Sequence, residues 1–271
     1  MKRTHWPFAT VPSTSATLAL VLLTARDAAA VEPPDGSVKA LPCRPTIACT
    51  ADIVEPGAFE IEAGMLFRRL DATGRQWTFP FLAKLTIARW LQLQVGSNGF
   101  TTLWNDAPRA RYFDDVSGGV KIHALDQGEL VPAVAFSAAL AVPTPHDQVG
   151  YAASYDALFT GYVTKDFGPL HADLNLGLTE WGVDGSPKAQ EWVALAVSAP
   201  LPPPFGVMVE SYYFSDAPPL GPQDGGFLFA LSYTPRPWLV FDAGGDVGYF
   251  PSKRAFSAFV GMTLVPAVLW R

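Results

Sequence analysis

Charge is scarce in this 271-residue chain, at 16% of residues, and beyond residue 30 no stretch offers 18 uninterrupted apolar residues. The missing apolar run excludes a membrane-spanning helix from that region. The scarcity of charge sits badly with an ordinary soluble domain, because 49% of the residues are hydrophobic and 13% aromatic. The apolar residues are dispersed, so they belong either in the core of a soluble β-protein or on the lipid face of a barrel. There are only four histidines and two cysteines, with no histidine between His5 and His123. That leaves too few ligands for a metal centre, and no cofactor is expected. A net charge of -6 offers no footing for nucleic acid.

Residues 1–30 read as a secretory signal peptide. Lys2 and Arg3 form the basic start, Leu18 to Leu23 the apolar centre, and Ala28-Ala29-Ala30 the small-residue cleavage site. A short membrane anchor is the alternative, although Arg26 and Asp27 end the apolar run early. Cleavage removes three basic residues and one acidic residue, which takes the formal charge from -6 to -8. Residues 31–56 contain five prolines and little periodicity, and read as an irregular periplasmic segment. Cys43 and Cys49 lie within it, where an oxidising compartment favours a small structural disulfide over a reduced pair.

From Gly57 onward the chain becomes a series of segments about ten residues long in which apolar residues alternate with small or polar ones. In Leu170 to Thr179, Leu170, Ala172, Leu174, Leu176 and Leu178 share one strand face and His171, Asp173, Asn175 and Thr179 the other. The first segment sets Phe59, Ile61, Ala63, Met65 and Phe67 against Glu60, Glu62, Gly64 and Arg68. There are twelve such segments in all, at about 57–70, 76–88, 90–101, 112–124, 129–141, 151–165, 169–180, 187–199, 204–215, 225–235, 237–250 and 254–265.

Their connections alternate in length. Those assigned outside, at 102–111, 142–150, 181–186 and 216–224, are mostly long and rich in Gly, Pro, Asp and Asn, whereas those around Arg89, 126–128, 166–168, 201–203 and Arg236 are short. Aromatic residues recur near segment ends, among them Trp77, Trp90, Trp104, Trp181, Trp238, Tyr112, Tyr151, Tyr249 and Trp270, as an interfacial belt requires. The pattern predicts an all-β fold: a transmembrane antiparallel up-and-down β-barrel of about 12 strands over residues 57–271, in the outer membrane of a Gram-negative bacterium. A soluble lipocalin-like binder is the competing fold, for which twelve strands are too many.

A further pattern follows the exported leader. Pro56, Gly57, Glu60, Glu62 and Gly64 form a "P-G-x-x-E-x-E-x-G" opening to the first strand, and a later strand carries Gly118-Gly119-Val120-Lys121 after Asp114-Asp115. Loosely over residues 44–265, the chain resembles outer-membrane transporter-like proteins of the phenol-degradation meta-pathway. The resemblance implies a barrel of this size and a role in moving small hydrophobic or aromatic compounds. It carries no catalytic residues. The implied partners are outer-membrane lipid, the barrel-assembly machinery and a small hydrophobic solute.

Charged groups on a lipid face cost up to about 2–4 kcal/mol at the bilayer middle, so those on the polar strand faces are expected to line the lumen. They are Glu60, Glu62, Arg68 and Lys84 in the first two segments, then Asp115, Lys121, His123 and Asp156. His171, Asp173, Asn175, Glu210, Asp242 and Asp246 complete the set. Such a lining serves either a permeation path or a network of paired charges that fills a plugged structural barrel. Trp192, Tyr212 and Phe259 fall on inward positions and could form an apolar track or simply fill space. The rival from another class is a lipid-modifying hydrolase embedded in the barrel, for which His171 with Asn175, or His123 with Ser117, are the pairs to inspect. No G-x-S-x-G nucleophile turn is present, and a channel is expected in preference to an enzyme. Loops around Leu103-Trp104, Tyr151 and Pro218-Pro219-Leu220 are expected to offer an apolar capture surface.

Overall fold

The computed structural model describes residues 38–70, 74–104, 109–144, 155–183, 186–216, 223–250 and 256–270. The proposed signal peptide, residues 31–37, Tyr151 and Pro218-Pro219-Leu220 lie outside the described residues. Fifteen strand segments form one antiparallel sheet that closes on itself. They are β1 (Ala58–Arg69), β2 (Arg75–Thr78), β3 (Phe81–Ala88), β4 (Leu91–Ser97), β5 (Phe100–Trp104), β6 (Ala110–Phe113), β7 (Val116–Leu125) and β8 (Ala133–Val142). The remaining seven are β9 (Asp156–Phe167), β10 (Leu170–Val183), β11 (Ser186–Pro200), β12 (Phe205–Phe214), β13 (Asp224–Arg236), β14 (Leu239–Gly248) and β15 (Phe256–Val268).

Three pairs of segments are single staves broken by a kink: β2 with β3 at Phe79-Pro80, β4 with β5 at Asn98-Gly99, and β6 with β7 at Asp114-Asp115. The breaks stand side by side because Pro80 has no N–H for the ladder and Gly99 adopts a φ of 67°. Bonds from Phe79 N–H to the Phe100 carbonyl and from Asp114 N–H to the Gly99 carbonyl tie them together. Counted as staves, the barrel has the expected twelve strands, and β15 closes on β1 from Ala58↔Val268 to Arg69↔Phe256.

The predicted segments match these staves, with two differences in the connections. Residues 181–186 form no long loop: Val183 pairs with Ser186 and only 184–185 connect β10 to β11. The turn from β7 to β8 is longer than predicted and spans 126–132, closed by a bond from Gly128 N–H to the Val131 carbonyl. The short turns at 89–90, 168–169, 201–204 and 237–238 share the barrel end at which β1 begins and β15 finishes. This is the short-turn end, and the opposite one is the long-loop end.

The wall has the inverted polarity of a membrane barrel. Leu176 is 56% exposed on the outside while its neighbour Asn175 is fully buried inside, and Phe136, Leu195, Phe229, Leu231 and Val260 extend the apolar exterior across four further staves. Two of the aromatic residues assigned to the interface turn the other way. Trp181 donates through Nε1 to the side-chain Oε1 of Gln190 (3.3 Å), on the inward parity of β10, and Trp238 packs on the buried cluster that includes Val240 and Val265.

Candidate functional site

Residues 38–56 do not form a periplasmic leader. They enter the barrel at the short-turn end, loop through the lumen and return to β1, so this part of the predicted segment is a plug. The reason lies in unpaired backbone. Pro42, Pro45 and Pro56 lack the N–H that a ladder needs, which helps keep residues 38–56 out of the sheet, and the free N–H and C=O groups of this stretch find partners in the polar side chains that the strand alternation points inward.

The ascending limb starts with Ala40 N–H on the Pro237 carbonyl (2.9 Å). Val38 and Ala40 then pack with Val54, Ala58, Val240 and Val265 in an apolar knot that holds both limbs. Leu41 N–H donates to Glu60 (2.7 Å), and Cys43 and Arg44 N–H donate to the two oxygens of Glu62 (2.9 and 3.0 Å). Lys84 pairs with Glu60 and with Glu62 (2.5 Å) and donates to the Leu41 carbonyl (2.7 Å). Two buried carboxylates facing one ammonium would be costly alone, and the plug's N–H donors complete their coordination.

The Arg44 guanidinium lies over the bare backbone of Gly64 and Gly261, whose missing Cβ atoms it overlaps. There it reaches both oxygens of Asp242 (3.4 Å each) and the Val260 carbonyl (3.2 Å).

At the tip, Cys43 and Cys49 are joined by a disulfide that closes a small ring. The ring's N–H groups radiate to different staves. Ile47 N–H reaches both oxygens of Glu210 (2.9 Å each), Ala48 N–H reaches one of them (2.6 Å), and Cys49 exchanges two bonds with the Asn175 amide (2.7 and 2.8 Å).

On the descending limb Ala51 N–H donates to the Thr164 hydroxyl (2.6 Å) and its carbonyl meets His123 Nδ1 (3.1 Å). Lys121 donates to the Thr50 and Asp52 carbonyls (2.5 and 3.1 Å) and sits 4.4 Å from the centre of the Tyr162 ring.

The predicted lumen residues thus divide. Glu60, Glu62, Lys84, Lys121, His123, Asn175, Glu210 and Asp242 grip the plug. The others have local partners: Asp115 accepts from Thr144, Asp156 from Gly182 N–H (2.9 Å), Asp173 from Thr164 (2.5 Å), and Asp246 from the Tyr212 hydroxyl. His171 lies between Asp166 (2.6 Å) and Asp173 (3.2 Å), and Arg68 stands opposite Ser257 of β15. Neither hydrolase pair assembles. Asn175 serves Cys49, and Ser117 donates to the Gly96 carbonyl (3.2 Å) rather than to His123.

Of the three apolar-track candidates, Trp192 and Tyr212 meet in one cluster with Phe214, and the plug's Ile47 and Ala48 pack against it. Phe259 stands apart, in a second cluster with Leu66, Met208, Leu228 and Ala230. Arg44, Thr164, Gly261 and Phe214 had no signal of their own in the sequence. An indirect one existed: the inward set holds eight acidic residues against three of Lys or Arg, so donors had to come from elsewhere.

No protein-family model and no curated protein matches this chain. Solved structures do. The COG4313 outer membrane channel from Pseudomonas putida F1 aligns with a TM-score of 0.54 at 10% identity, over 79% of this chain and 97% of that one. The fold is that of an outer-membrane β-barrel. Weaker alignments, with the translocator domain of the autotransporter NalP from Neisseria meningitidis (TM-score 0.45, 10% identity, 76% and 86% coverage) and a loop-deletion mutant of OmpT from Vibrio cholerae (0.40, 10%, 76% and 97%), add nothing to this. Within the barrel, both stretches that carry the resemblance noted in the sequence converge on the plug. Glu60, Glu62 and Gly64 receive its ascending limb and Lys121 its descending limb.

Proposed function

We propose that this chain is an outer-membrane channel, delivered by a cleaved signal peptide, that takes up small hydrophobic or aromatic compounds and is closed at rest by its own N-terminal segment. The observation that carries this reading is the contrast between the two halves of the lumen. Toward the short-turn end it is filled by a polar, hydrogen-bonded plug, whereas β11 and β12 present Trp192, Tyr212 and Phe214 inward beside the plug's tip, and β1, β13 and β15 present Leu66, Leu228 and Phe259. Apolar side chains are out of place in a lumen built for water and ions, and suit an apolar solute. The TM-score of 0.54 to a channel supports the same reading. So does the resemblance to meta-pathway transporter-like proteins.

The test has two parts. The refolded chain without residues 31–54 should conduct in planar bilayers where the intact mature chain is nearly silent. Cells that need this protein to grow on a limiting aromatic hydrocarbon should stop growing without it. Equal conductance of both chains would remove the plug from the account, and growth indifferent to the protein would remove the cargo.

The extent of the grip on the plug favours a second reading, a permanently closed structural barrel. That reading requires that no hydrophobic solute alter the conductance of the intact chain.

A further inference from the structure

Between the ascending limb of the plug and the wall formed by β12, β13 and β14 lies a cavity of about 480 Å³ at the short-turn end. Its volume is that of a small-molecule site. Pro42, Met208 and Val240 give it apolar sides, and Ser232 and Thr234 set two hydroxyl groups among them. Two parts of the chain build it: the plug contributes Lys39, Ala40, Pro42 and Arg44, and the barrel contributes the rest.

Charge in this cavity runs against the acidic excess of the inward strand faces. Lys39, Arg44 and Arg236 line it with one carboxylate, Asp242. Arg44 matches Asp242, at 3.4 Å from each of its oxygens. Lys39 and Arg236 are exposed, and among the described residues neither meets a carboxylate; the guanidinium of Arg236 donates only to the Pro235 carbonyl (3.4 Å). Two cations are thus left over beside apolar sides.

We propose that this cavity binds a small amphipathic carboxylate, an aromatic or aliphatic acid, and that its occupation locks the plug in place. The apolar body lies against Pro42, Met208 and Val240, and the carboxylate faces Lys39 and Arg236. Burial of the body supplies most of the affinity, because ion pairs with exposed cations are weak, and the cations select the sign. Locking follows from the shared construction. The ligand touches plug and barrel together, so the complete site exists only while the plug is docked, and a ligand that binds one state alone stabilises that state. The lock acts where the plug enters the barrel, since Ala40 is also bonded to the Pro237 carbonyl (2.9 Å) and packed in the apolar knot with Val38, Val54 and Val240. Access is from the short-turn side, so closure answers to an acid accumulated at the end opposite the long loops. The locking rests on the reading of the plug as displaceable, whereas the binding does not.

2-Naphthoate serves as the probe. Its retention by the refolded mature chain in neutral phospholipid vesicles is counted against empty vesicles, and cleavage of the plug by a protease added from the short-turn side is timed with and without it. Retention should saturate at one molecule per chain. 2-Naphthamide, the same body without the charge, should compete roughly five- to tenfold more weakly, and Lys39→Gln combined with Arg236→Gln should weaken 2-naphthoate binding by the same factor, as expected for two exposed ion pairs. Met208→Trp, which fills the cavity and keeps both cations, should abolish binding, with heat-modifiable gel migration confirming that the barrel has folded. At ten times its dissociation constant the acid should slow cleavage about tenfold. No saturable retention above that of empty vesicles, or equal affinity in the double variant, overturns the site. Saturable binding with an unchanged cleavage rate overturns the lock. The channel reading fails on a separate result, a chain that stays silent in planar bilayers even without residues 31–54.

Discussion

The Arg44 guanidinium occupies the volume that a side chain at Gly64 would need. A residue of the N-terminal segment thus fits the bare backbone of the first strand, in a stretch whose Glu60 and Glu62 also bind that segment. The alternation that puts Glu60, Glu62 and Gly64 on one face of β1 places two carboxylates and a gap in the same radial direction. The opening motif of the barrel is therefore a receptor for the residues that precede it.

Gly261→Ala should dislodge Arg44 from Asp242 with the barrel intact, because the atoms nearest to a Cβ there all belong to the flexible Arg44 side chain, whereas a Cβ at Gly64 would also press on the Val260 carbonyl of β15. Losing a charged hydrogen-bonded contact costs roughly 1.5–3 kcal/mol, so the open fraction in planar bilayers should rise at least about tenfold. Arg44→Ala should match Gly261→Ala. A double variant no more open than either single one would show that all act through the same contact.

Glu210 should matter more than its own burial would imply. Glu210→Ala removes the acceptor of two backbone N–H groups at the plug tip and should raise conductance. Glu210→Gln keeps one carbonyl oxygen and should have a smaller effect. Closed channels in both variants would mean that the limbs alone hold the plug.

The disulfide between Cys43 and Cys49 closes a ring of seven residues, worth roughly 2 kcal/mol of chain entropy for a loop this short. Treatment of the mature chain with a dithiol reductant, or Cys43→Ser with Cys49→Ser, should loosen the plug and expose 38–56 to proteases added from the short-turn side. Barrel heat stability should be unchanged, since neither cysteine lies in a strand. Cleavage at the same rate with and without the reductant would count against a role for the disulfide.

Facing is testable one residue at a time. A cysteine at Leu176 should react with a lipid-phase probe. A cysteine at Asn175, fully buried under the plug, should be silent to small aqueous reagents in the intact chain and reactive when residues 31–54 are deleted. Labelling of both positions from the lipid phase would mean that β10 does not line the barrel.

The sequence alone determined the barrel. Strand alternation is a local, period-two property, so Leu170 to Thr179 shows its two faces without reference to any other strand, and Gly/Pro/Asp clusters mark where each strand stops. Connection length was less legible. The β10–β11 hairpin runs to Val183 and Ser186 because cross-strand pairing persists past the last clear alternation. Which face of its strand each charge takes follows from the same alternation, whereas what those charges bind does not. What Glu210, Asn175 and Thr164 bind are backbone N–H groups 113 to 163 residues away in sequence. Every non-proline residue carries such a donor, so the donors leave no mark in the sequence. The excess of inward carboxylates announced that donors were needed. Only closing the sheet, which brings eight staves around one prolyl segment, decided which donors they are and turned an apparent leader into a plug.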